Sequence, residues 1–454
     1  MYKRSLIALS LAATLTACGG SSDDDTSSGG PGQCTALDQN QRLVNELRQN
    51  YLWNDELPNN INPASYANVY ELLANVIPTH DRFSFILTEQ EYEDIYVNAT
   101  FFGFGFSAED DINDGVMRVR YVYDDSPADR AGLTRGSEIY AINGTDMSVW
   151  YQRLATGAAT WTDLFGPDEE GYEITFEWNR PDGQHDRGVL GKEEVETNTV
   201  MAVERFAADD REIGYFVFDS FINRAEHDVN AAFDQLQDVD ELIIDLRYNS
   251  GGLIRIANQI ASQSSWHEVE GEVFVTYQYN DNYPNQDYLF NLGRGIERLN
   301  LDRVVVLTTS ASCSSSELVI NSLTPFVEVV TVGQPTCGKP VGQQPAPICD
   351  KVVFAINFQT VNAAGYGGYF DGIQPTCTAV DTVRTDWGDP ADPLLGEALH
   401  YLNTGSCSAT AEMQLALDAE NVWLQHTPQN DVVLRDAHKN IIRHPLLDKW
   451  ESHH

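Results

Sequence analysis

Apolar residues recur at helical spacing in two segments near the N-terminus of the chain. In residues 38–50 the apolar positions include Leu43 and Leu47, and residues 66–77 repeat a similar spacing. Positions three and four apart lie on one face of a helix, so each segment can bury that face against a core. The pattern predicts a small helical N-terminal region, which we assign to residues 34–98.

Beyond residue 197 the pattern changes to short apolar runs, with an amphipathic helix predicted at residues 225–236. The apolar runs predict strands at residues 212–218, 241–246, 303–308 and 327–332. Short strands that alternate with helices are typical of an α/β domain, which we place at residues 198–406.

The composition indicates a globular protein with an acidic surface. The chain has 454 residues, of which 42% are hydrophobic, so it can bury a substantial core and hold two or three domains. Acidic residues outnumber basic ones, 68 against 28, and the formal net charge is −40. This charge repels nucleic acid and anionic lipid, so no nucleic acid is expected among the partners.

The first residues are typical of a secretory signal peptide, assigned to residues 1–17. A short basic start precedes an apolar run at residues 5–17, which is too short to span a bilayer. The run ends Leu-x-Ala before Cys18, an ending that resembles the lipobox of bacterial lipoproteins and implies a lipid anchor on this cysteine. The alternative is an ordinary signal peptide cut nearby, with the cysteine discarded. Gly19 follows where an aspartate would resemble an inner-membrane retention signal, so the resemblance implies an outer-membrane lipoprotein facing the periplasm or the cell surface.

Two further segments lie outside the predicted domains. Residues 18–33 offer no apolar run to bury and predict a flexible tether. Residues 407–454 are assigned as an extension of unknown role, with helical spacing at residues 411–422.

Six cysteines remain after Cys18, an even number that indicates up to three disulfides in an oxidising compartment. About 15 pairings are open on the sequence alone. The pairing predicted here is Cys313–Cys337, Cys349–Cys377 and Cys34–Cys407. No C-x-x-C motif or paired histidine spacing occurs, so neither a metal site nor a cofactor is predicted.

Two glycine-containing stretches resemble parts of a PDZ domain. FFGFGF at residues 101–106 is similar to the carboxylate-binding loop, and SPADRAGLTRGSEIYAING at residues 126–144 is similar to a run found in secreted bacterial proteases. Glycines let successive backbone N–H groups turn inward and hold a carboxylate, beside a strand edge that pairs with a peptide. For the glycines alone, the alternative is a plain strand turn. Together the stretches imply a PDZ domain at residues 99–197 that binds peptide C-termini through Phe102, Gly103, Phe104, Gly105 and Phe106.

The stretch GQPTCGKPVGQ, residues 333–343, fits the G-x-x-x-x-G-K spacing of a phosphate-binding loop. Such a loop needs Ser or Thr after the lysine to bind magnesium. Here Pro340 follows Lys339, and proline has neither a hydroxyl nor an N–H. The phosphate interpretation is therefore disfavoured, and the lysine needs another explanation.

Serines cluster in SASCSSSELVINSL, residues 310–323, where the spacing after Glu317 predicts a helix that begins near Ser314. The run Ser314-x-x-Glu317 also fits a capping box, in which the serine closes the helix end and needs no catalytic role. The spacing alone leaves both interpretations open.

The motifs follow in a definite order: DLRYNSGG, then SSSE at a helix start, then a strand, then GKPVGQ. This order resembles the C-terminal processing peptidases, also called tail-specific proteases. The resemblance implies Ser314 as nucleophile, Lys339 as base 25 residues later and Gln343 as the third catalytic residue. It also implies a multidomain α/β fold, with a crotonase/ClpP-like α/β catalytic core, an inserted PDZ domain and a small helical N-terminal region. Pro340 departs from the glycine that commonly follows the lysine in this family.

These residue types suit acyl transfer. A serine hydroxyl is a poor nucleophile until a base takes its proton, and a lysine is such a base only when its pKa approaches neutrality. Lys339 must therefore be largely desolvated, and Gln343 can orient its amine without adding a charge. For the oxyanion we expect two backbone donors, the N–H of Gly251 or Gly252 and that of Ser315 at the helix start.

Together these inferences predict a serine endopeptidase that recognises exposed apolar C-terminal tails of proteins and cleaves through an acyl-enzyme on Ser314. One alternative is a catalytically idle PDZ adaptor that binds protein C-termini in the envelope. A second is a crotonase-like acyl-group enzyme. A regulatory partner and the oligomeric state stay open.

Overall fold

The computed structural model describes residues 34–98, 100–208 and 210–409. The predictions of the signal peptide, the tether, the lipid anchor at Cys18 and the helix at residues 411–422 lie outside the described residues. Within those residues, no helix has the length and apolar character needed to cross a membrane.

The N-terminal region begins with two amphipathic helices. Its elements are α1 (Ala36–Asn50), a 3-10 helix (Pro63–Ser65), α2 (Val69–Val76), β1 (Phe85–Thr88), α3 (Glu89–Tyr92) and a π-helix (Glu93–Asn98). Leu43 and Leu47 are fully buried, as the spacing predicts. The second helix is shorter than predicted because Asn68 caps it: its side-chain oxygen accepts the N–H of Glu71 at 2.9 Å.

The next segment is mostly antiparallel. Its elements are β2 (Thr100–Gly103), β3 (Phe106–Asp111), β4 (Val116–Val122), α4 (Pro127–Ala131), β5 (Glu138–Ile142), β6 (Thr145–Asp146), α5 (Met147–Ala155), α6 (Trp161–Phe165), β7 (Glu173–Asn179), β8 (His185–Gly191) and β9 (Glu193–Glu196). One sheet has the order β3-β4-β5-β7-β8, with β6 paired to β5. Strands β2 and β9 pair with each other instead, which brings the two ends of the segment together. The segment between them can therefore be inserted into another domain; we call it the inserted segment.

The remaining described residues form an α/β unit, so the prediction of an α/β fold is confirmed. Its elements are β10 (Val200–Ala208), β11 (Arg211–Phe218), α7 (Ala225–Gln235), β12 (Glu241–Asp245), α8 (Ile254–Val269), β13 (Val273–Tyr279), β14 (Gln286–Leu289), β15 (Arg303–Thr308), α9 (Ser315–Leu323), β16 (Glu328–Gly333), β17 (Val341–Gln343), β18 (Ala346–Ile348), β19 (Lys351–Phe354), β20 (Ile356–Val361), β21 (Cys377–Thr378) and α10 (Pro393–Thr404). The main sheet has the order β10-β11-β12-β15-β16-β21 and is parallel from β11 onward.

Helices cover both faces of the main sheet. Helices α7, α8 and α9 pack with Ile244 and Val306 on one face, and α10 packs with Ile243 and Val305 on the other. Neighbouring residues of each strand thus enter two different cores. This double burial explains why these strands read as continuous apolar runs in the sequence.

Two smaller sheets connect the N-terminal region to the α/β unit. One has the order β14-β13-β20-β17, and the other, β1-β19-β18, takes its first strand from the N-terminal region. Leu43 and Leu47 of α1 share a core with Val341 and Ile356. The N-terminal helices are therefore packed on the segment that follows Lys339.

The structure contains the Cys313–Cys337 disulfide, so that part of the predicted pairing is confirmed. Cys377 bonds Cys407, and the predicted pairs Cys349–Cys377 and Cys34–Cys407 are therefore wrong. Cys377 lies on β21 at the sheet edge, and Cys407 follows α10, which crosses the same sheet face. Their Cα atoms lie 5.4 Å apart, a proximity that arises from helix packing and not from spacing along the chain.

Candidate active site

Three neighbouring parallel strands place the predicted motifs at one edge of the main sheet. The glycine turn of residues 247–252 follows β12, the serine cluster follows β15, and the Lys339 loop follows β16. The carboxyl ends of parallel strands lie at the same sheet edge, where open α/β sheets bind ligands. A cavity of about 640 Å³ at this edge is lined by Gly252, Ser314, Lys339 and Gln343 among others.

Ser314 is the N-cap of α9 and is half-buried, whereas residues 315–323 of that helix are buried. Its backbone has φ 55° and ψ −112°, a conformation that costs a non-glycine residue about 1–3 kcal/mol and is often retained at functional sites. The hydroxyls of the other serines in residues 312–316 donate to backbone carbonyls. These serines are Ser312, Ser315 and Ser316, each at 2.8 Å. Ser314 is thus the serine of this run that faces the cavity.

Lys339 is almost fully buried, with 8% of the residue exposed. Its Nζ donates to Gln343 Oε1 at 3.0 Å and lies 5.6 Å from the ring centroid of Phe83. Burial lowers the pKa of the Lys339 amine from 10.5 to about 8, although Asp81 and Glu317 act in the opposite direction. A substantial fraction of this amine is therefore neutral at mildly alkaline pH.

The orientation of Gln343 depends on the N-terminal region. Its Nε2 donates to the backbone carbonyl of Phe83 at 2.7 Å, so Oε1 is the atom that faces Lys339. The sequence analysis placed residues 81–86 only within the helical N-terminal region and did not predict this contact.

Asp81 and Arg82 hold that segment in place. The Asp81 carboxylate accepts the Tyr51 hydroxyl at 2.7 Å and the N–H of Phe83 at 2.9 Å. Arg82 donates to the carbonyl of Cys337 at 3.1 Å, within the Lys339 loop. The sequence shows only a charged pair that follows Thr79 and His80 and precedes Phe83, and it does not indicate which distant groups those charges contact.

Glu317 joins the serine helix to the Lys339 loop. Its buried carboxylate accepts four hydrogen bonds, from the N–H groups of Ser314, Gly338 and Lys339 and from the hydroxyl of Thr336. Burial raises the pKa of Glu317, although these hydrogen bonds lower it. The sequence identified this residue only as the acidic end of a capping box.

The Cys313–Cys337 disulfide is a covalent link between the same two elements. Cys313 precedes Ser314 directly, and Cys337 lies two residues before Lys339, with a Cα separation of 5.1 Å. The bond closes a loop of 24 residues, which is worth about 3 kcal/mol of stability.

We expect loss of this disulfide to lower turnover of a protein substrate several-fold without unfolding the protein, because Glu317 still bridges both elements. The measurement compares Cys313→Ser/Cys337→Ser with Cys377→Ser/Cys407→Ser, which removes the disulfide at the sheet edge and should leave turnover unchanged. If turnover stays unchanged in reductant while mass spectrometry shows that the Cys313–Cys337 bond is broken, this expectation is wrong.

The predicted oxyanion donors differ in availability. The N–H of Gly251 donates to Asn249 Oδ1 at 2.9 Å and is already used. The N–H groups of Gly252 and Ser315 make no hydrogen bond to any described residue, and the Ser315 hydroxyl donates to the Gly252 carbonyl at 2.8 Å. A Cβ on Gly251 would lie 2.7 Å from Ser314 Cβ, so only glycine allows this close approach. The geometry favours Gly252 and Ser315 as the pair of donors.

Buried ion pairs and hydrogen bonds hold Arg247 and Tyr248, the first two residues of the glycine turn. The two terminal nitrogens of Arg247 donate to Asp392 at 2.8 and 2.9 Å. Arg135 of the inserted segment pairs with Asp381 at 2.9 Å and donates to the Tyr248 hydroxyl. Although burial acts to raise it, Arg247 and Arg135 lower the pKa of Asp381 to about 2. The carboxylates therefore stay charged and the turn is held rigidly.

No hydrogen bond joins Ser314 Oγ and Lys339 Nζ in the part of the chain that the structure describes. Both side chains line the same cavity. Catalytic hydrogen bonds are often long without substrate and shorten when it binds. The arrangement therefore fits a nucleophile and a base that meet fully in the substrate complex.

The residues predicted to bind peptide C-termini lie on the inserted segment. Phe104 and Phe106 are buried in its core, whereas Phe102 is exposed. Gly105 has φ 85°, and a Cβ there would lie 2.0 Å from Ser126 Cβ, so the turn requires glycine. Gly103 ends β2. The two stretches quoted from the sequence thus meet at Gly105 and Ser126.

Two groups of side chains have the spacing of metal ligands in the described ranges. They are Cys313, Glu317 and Cys337, and Cys377, Glu397 and Cys407. In both groups the cysteines are joined as disulfides and offer no thiolate, so neither group fits a metal ion.

Comparison with known families gives two matches, and each matched range contains residues that line the cavity. Residues 212–379 match the profile of peptidase family S41, and residues 38–85 match that of the peptidase S41 N-terminal domain. The first range contains Ser314, Lys339 and Gln343, and the second contains Asp81 and Phe83.

Among curated proteins, the chain is 24% identical over 294 residues to the carboxyl-terminal-processing peptidase 3, chloroplastic, of Arabidopsis thaliana, across 61% of this chain and 52% of that protein. It is 24% identical over 276 residues to the carboxy-terminal processing protease CtpB of Bacillus subtilis, across 60% of this chain and 54% of that protein. The chain thus spans about half the length of these relatives. The structure of an S41 protease of Bacteroides fragilis has a TM-score of 0.64 at 23% identity and covers 80% of this chain and 97% of that one. This likeness shows a shared fold.

Proposed function

Because the chain belongs to peptidase family S41, a family of serine-type peptidases, we propose that it is a serine endopeptidase with Ser314 as nucleophile and Lys339 as general base. The observation that carries the proposal is the state of Lys339. Its amine is buried, its pKa is lowered to about 8, and it contacts a neutral amide in the cavity that Ser314 lines. An exposed lysine would stay protonated at neutral pH and could not accept a proton.

In the first step the neutral Lys339 amine accepts the Ser314 hydroxyl proton while Oγ attacks the carbonyl carbon of the scissile bond. Negative charge moves to the carbonyl oxygen, to which the N–H groups of Gly252 and Ser315 donate. The Lys339 ammonium then gives its proton to the amine nitrogen as the C–N bond breaks. The released product carries a new amino terminus, and Ser314 holds the other fragment as an ester.

Water completes the cycle. The neutral amine of Lys339 accepts a proton from water as the water oxygen attacks the ester carbonyl, and it returns that proton to Ser314 Oγ when the ester bond breaks. Gln343 positions the amine throughout. Because its side chain is uncharged, it does not stabilise the ammonium form as a carboxylate would.

The pH profile tests the role of Gln343. We expect kcat/KM of the wild type to rise with pH through a midpoint near 8, the pKa of Lys339, because the neutral amine is the active form. Gln343→Glu should move this midpoint upward by about 1 unit or more, because a carboxylate favours the ammonium. Gln359→Glu, on β20 and outside the cavity lining, is the control and should keep the wild-type midpoint. Equal midpoints for all three proteins would contradict the assignment.

We further propose that the inserted segment is the PDZ domain of residues 99–197, on a crotonase/ClpP-like α/β core. Strand β3 lies at the edge of its sheet, so its outer backbone groups are available to an added peptide strand. The left-handed turn at Gly105 leads directly into that strand. This arrangement supports recognition of an apolar C-terminal tail in extended form.

We also propose an envelope lipoprotein anchored at Cys18 and facing the periplasm or the cell surface. The two disulfides of the α/β unit support an oxidising compartment. Labelling with a radioactive fatty acid tests the anchor, and Cys18→Ser should remove the label.

The proteolytic function is tested with the soluble form that starts after Cys18 and an unfolded protein with an apolar C-terminus. Mass spectrometry of the products should show fragments that depend on Ser314. Binding of the tail without any fragments would instead support the idle adaptor. Ser314, Lys339 and Gln343 are all present in this chain, which argues against that alternative.

A further inference from the structure

The charged residues that line the active-site cavity are all basic. None of the described residues that line it is an aspartate or a glutamate, although the chain has 68 acidic residues against 28 basic ones. The charged residues on its wall are Lys339, which has a role in proton transfer, and Arg120. A wall with a permanent cation and no acid favours an anionic group of the ligand.

Arg120 belongs to β4, so the inserted segment contributes a side chain to the cavity. This side chain is 23% exposed, and the guanidinium carbon lies 5.2 Å from the ring centroid of Tyr248. Tyr248 is part of the turn that presents Gly252 to the same cavity. The cation therefore lies beside the oxyanion turn.

The guanidinium of Arg120 is incompletely paired. Its Nε donates to Glu109 Oε2 at 3.3 Å, but its two terminal nitrogens make no hydrogen bond to any described residue. The neighbouring buried arginines differ, because terminal nitrogens of Arg135 and Arg247 donate to carboxylates. Two terminal nitrogens form the fork that binds a carboxylate through parallel hydrogen bonds. Arg120 thus offers an open carboxylate site.

We propose that Arg120 binds the C-terminal carboxylate of the substrate inside the active-site cavity, so that the enzyme releases short peptides of constant length from chain ends. This inference rests on the proposed function and deepens it. A cavity of about 640 Å³ has the size of a small-ligand site and holds only a few residues beyond the scissile bond. One carboxylate cannot occupy the loop of residues 102–106 and Arg120 at the same time, so in this proposal residues 102–106 bind the apolar tail and Arg120 binds its terminal carboxylate.

The first test uses peptides of one sequence that end in a free carboxylate or in an amide. We expect the wild type to cleave the free acid with a kcat/KM roughly 10- to 100-fold higher. Arg120→Gln should lower kcat/KM for the free acid to the level of the amide, and Arg120→Lys should give an intermediate value. Arg130→Gln, an exposed arginine of the inserted segment paired with Glu193, should keep the wild-type preference. Thermal melting shows whether each variant is folded.

The second test uses the wild-type enzyme and changes only the peptide. A pair of residues is inserted between the cleavage site and the C-terminus of the free-acid peptide, and the masses of the products are measured by mass spectrometry. The cut should move by the inserted length, so that the released fragment stays constant. A cut that remains at the original peptide bond overturns the proposal, as does equal cleavage of acid and amide. If Ser314→Ala yields the same products as the wild type, the proposed function itself fails.

Discussion

Replacing Ser314 with alanine is expected to lower kcat for a protein substrate by at least about 1,000-fold, because the nucleophile of the acyl-enzyme is removed. Ser314 faces the cavity, and the other serines of residues 312–316 are committed to backbone carbonyls. None of those hydroxyls can take over the attack. The measurement is single-turnover cleavage followed by mass spectrometry, with binding of the substrate tail as an independent readout.

Ser322→Ala is the matched control, because it removes a hydroxyl from the same helix. That hydroxyl is buried and has no hydrogen-bond partner among the described residues, so its loss should affect neither turnover nor stability. A Ser314→Ala enzyme that retains more than about a tenth of the wild-type rate would exclude the acyl-enzyme mechanism.

Replacing Lys339 with methionine is expected to lower kcat by a similar factor, again about 1,000-fold or more, because among the described residues no other lysine and no aspartate, glutamate or histidine lines the cavity with Ser314. Lys339→Arg should be equally inactive, since a guanidinium does not lose its proton in proteins. Lys351→Met, a lysine paired with Asp350 outside the cavity lining, is the control and should keep full activity. Near-normal turnover by Lys339→Met would refute the base assignment.

We also expect Lys339→Met to change the stability of the protein. The pKa of Lys339 is lowered from 10.5 to about 8 on folding, so the buried ammonium destabilises the wild type below pH 8 by roughly 3 kcal/mol. Between pH 8 and 10.5 the folded state has lost this proton and the unfolded state has not, so the penalty disappears as pH rises. Lys339→Met should therefore unfold at higher denaturant concentration than the wild type at pH 7 and lose that advantage near pH 10. A less stable variant at pH 7 would indicate a structural role for this lysine.

The pattern of apolar residues predicted the main sheet well, because its strands are buried on both faces. The predicted strand at residues 303–308 coincides with β15, and the one at residues 241–246 differs from β12 by a single residue. The predicted helix at residues 66–77 was too long, because local capping by Asn68 set its start and apolar spacing did not show it.

The sequence by itself determined which residue types were candidates for the chemistry and their order along the chain. Short motifs marked the glycine turn, the serine cluster and the lysine loop, because such motifs reflect local backbone geometry, and the resemblance of their order to the C-terminal processing peptidases singled out Ser314, Lys339 and Gln343 as candidates. The fold class followed from the alternation of strands and helices.

Only the tertiary structure decided which distant groups complete the site. The Phe83 carbonyl that orients Gln343 lies 260 residues away from it in the chain, and Arg120 reaches the cavity from the inserted segment. The Cys377–Cys407 bond depends in the same way on α10 crossing the sheet. These contacts form because packing of the folded elements brings the residues together, and neither periodicity nor motif spacing along the chain encodes which surfaces meet.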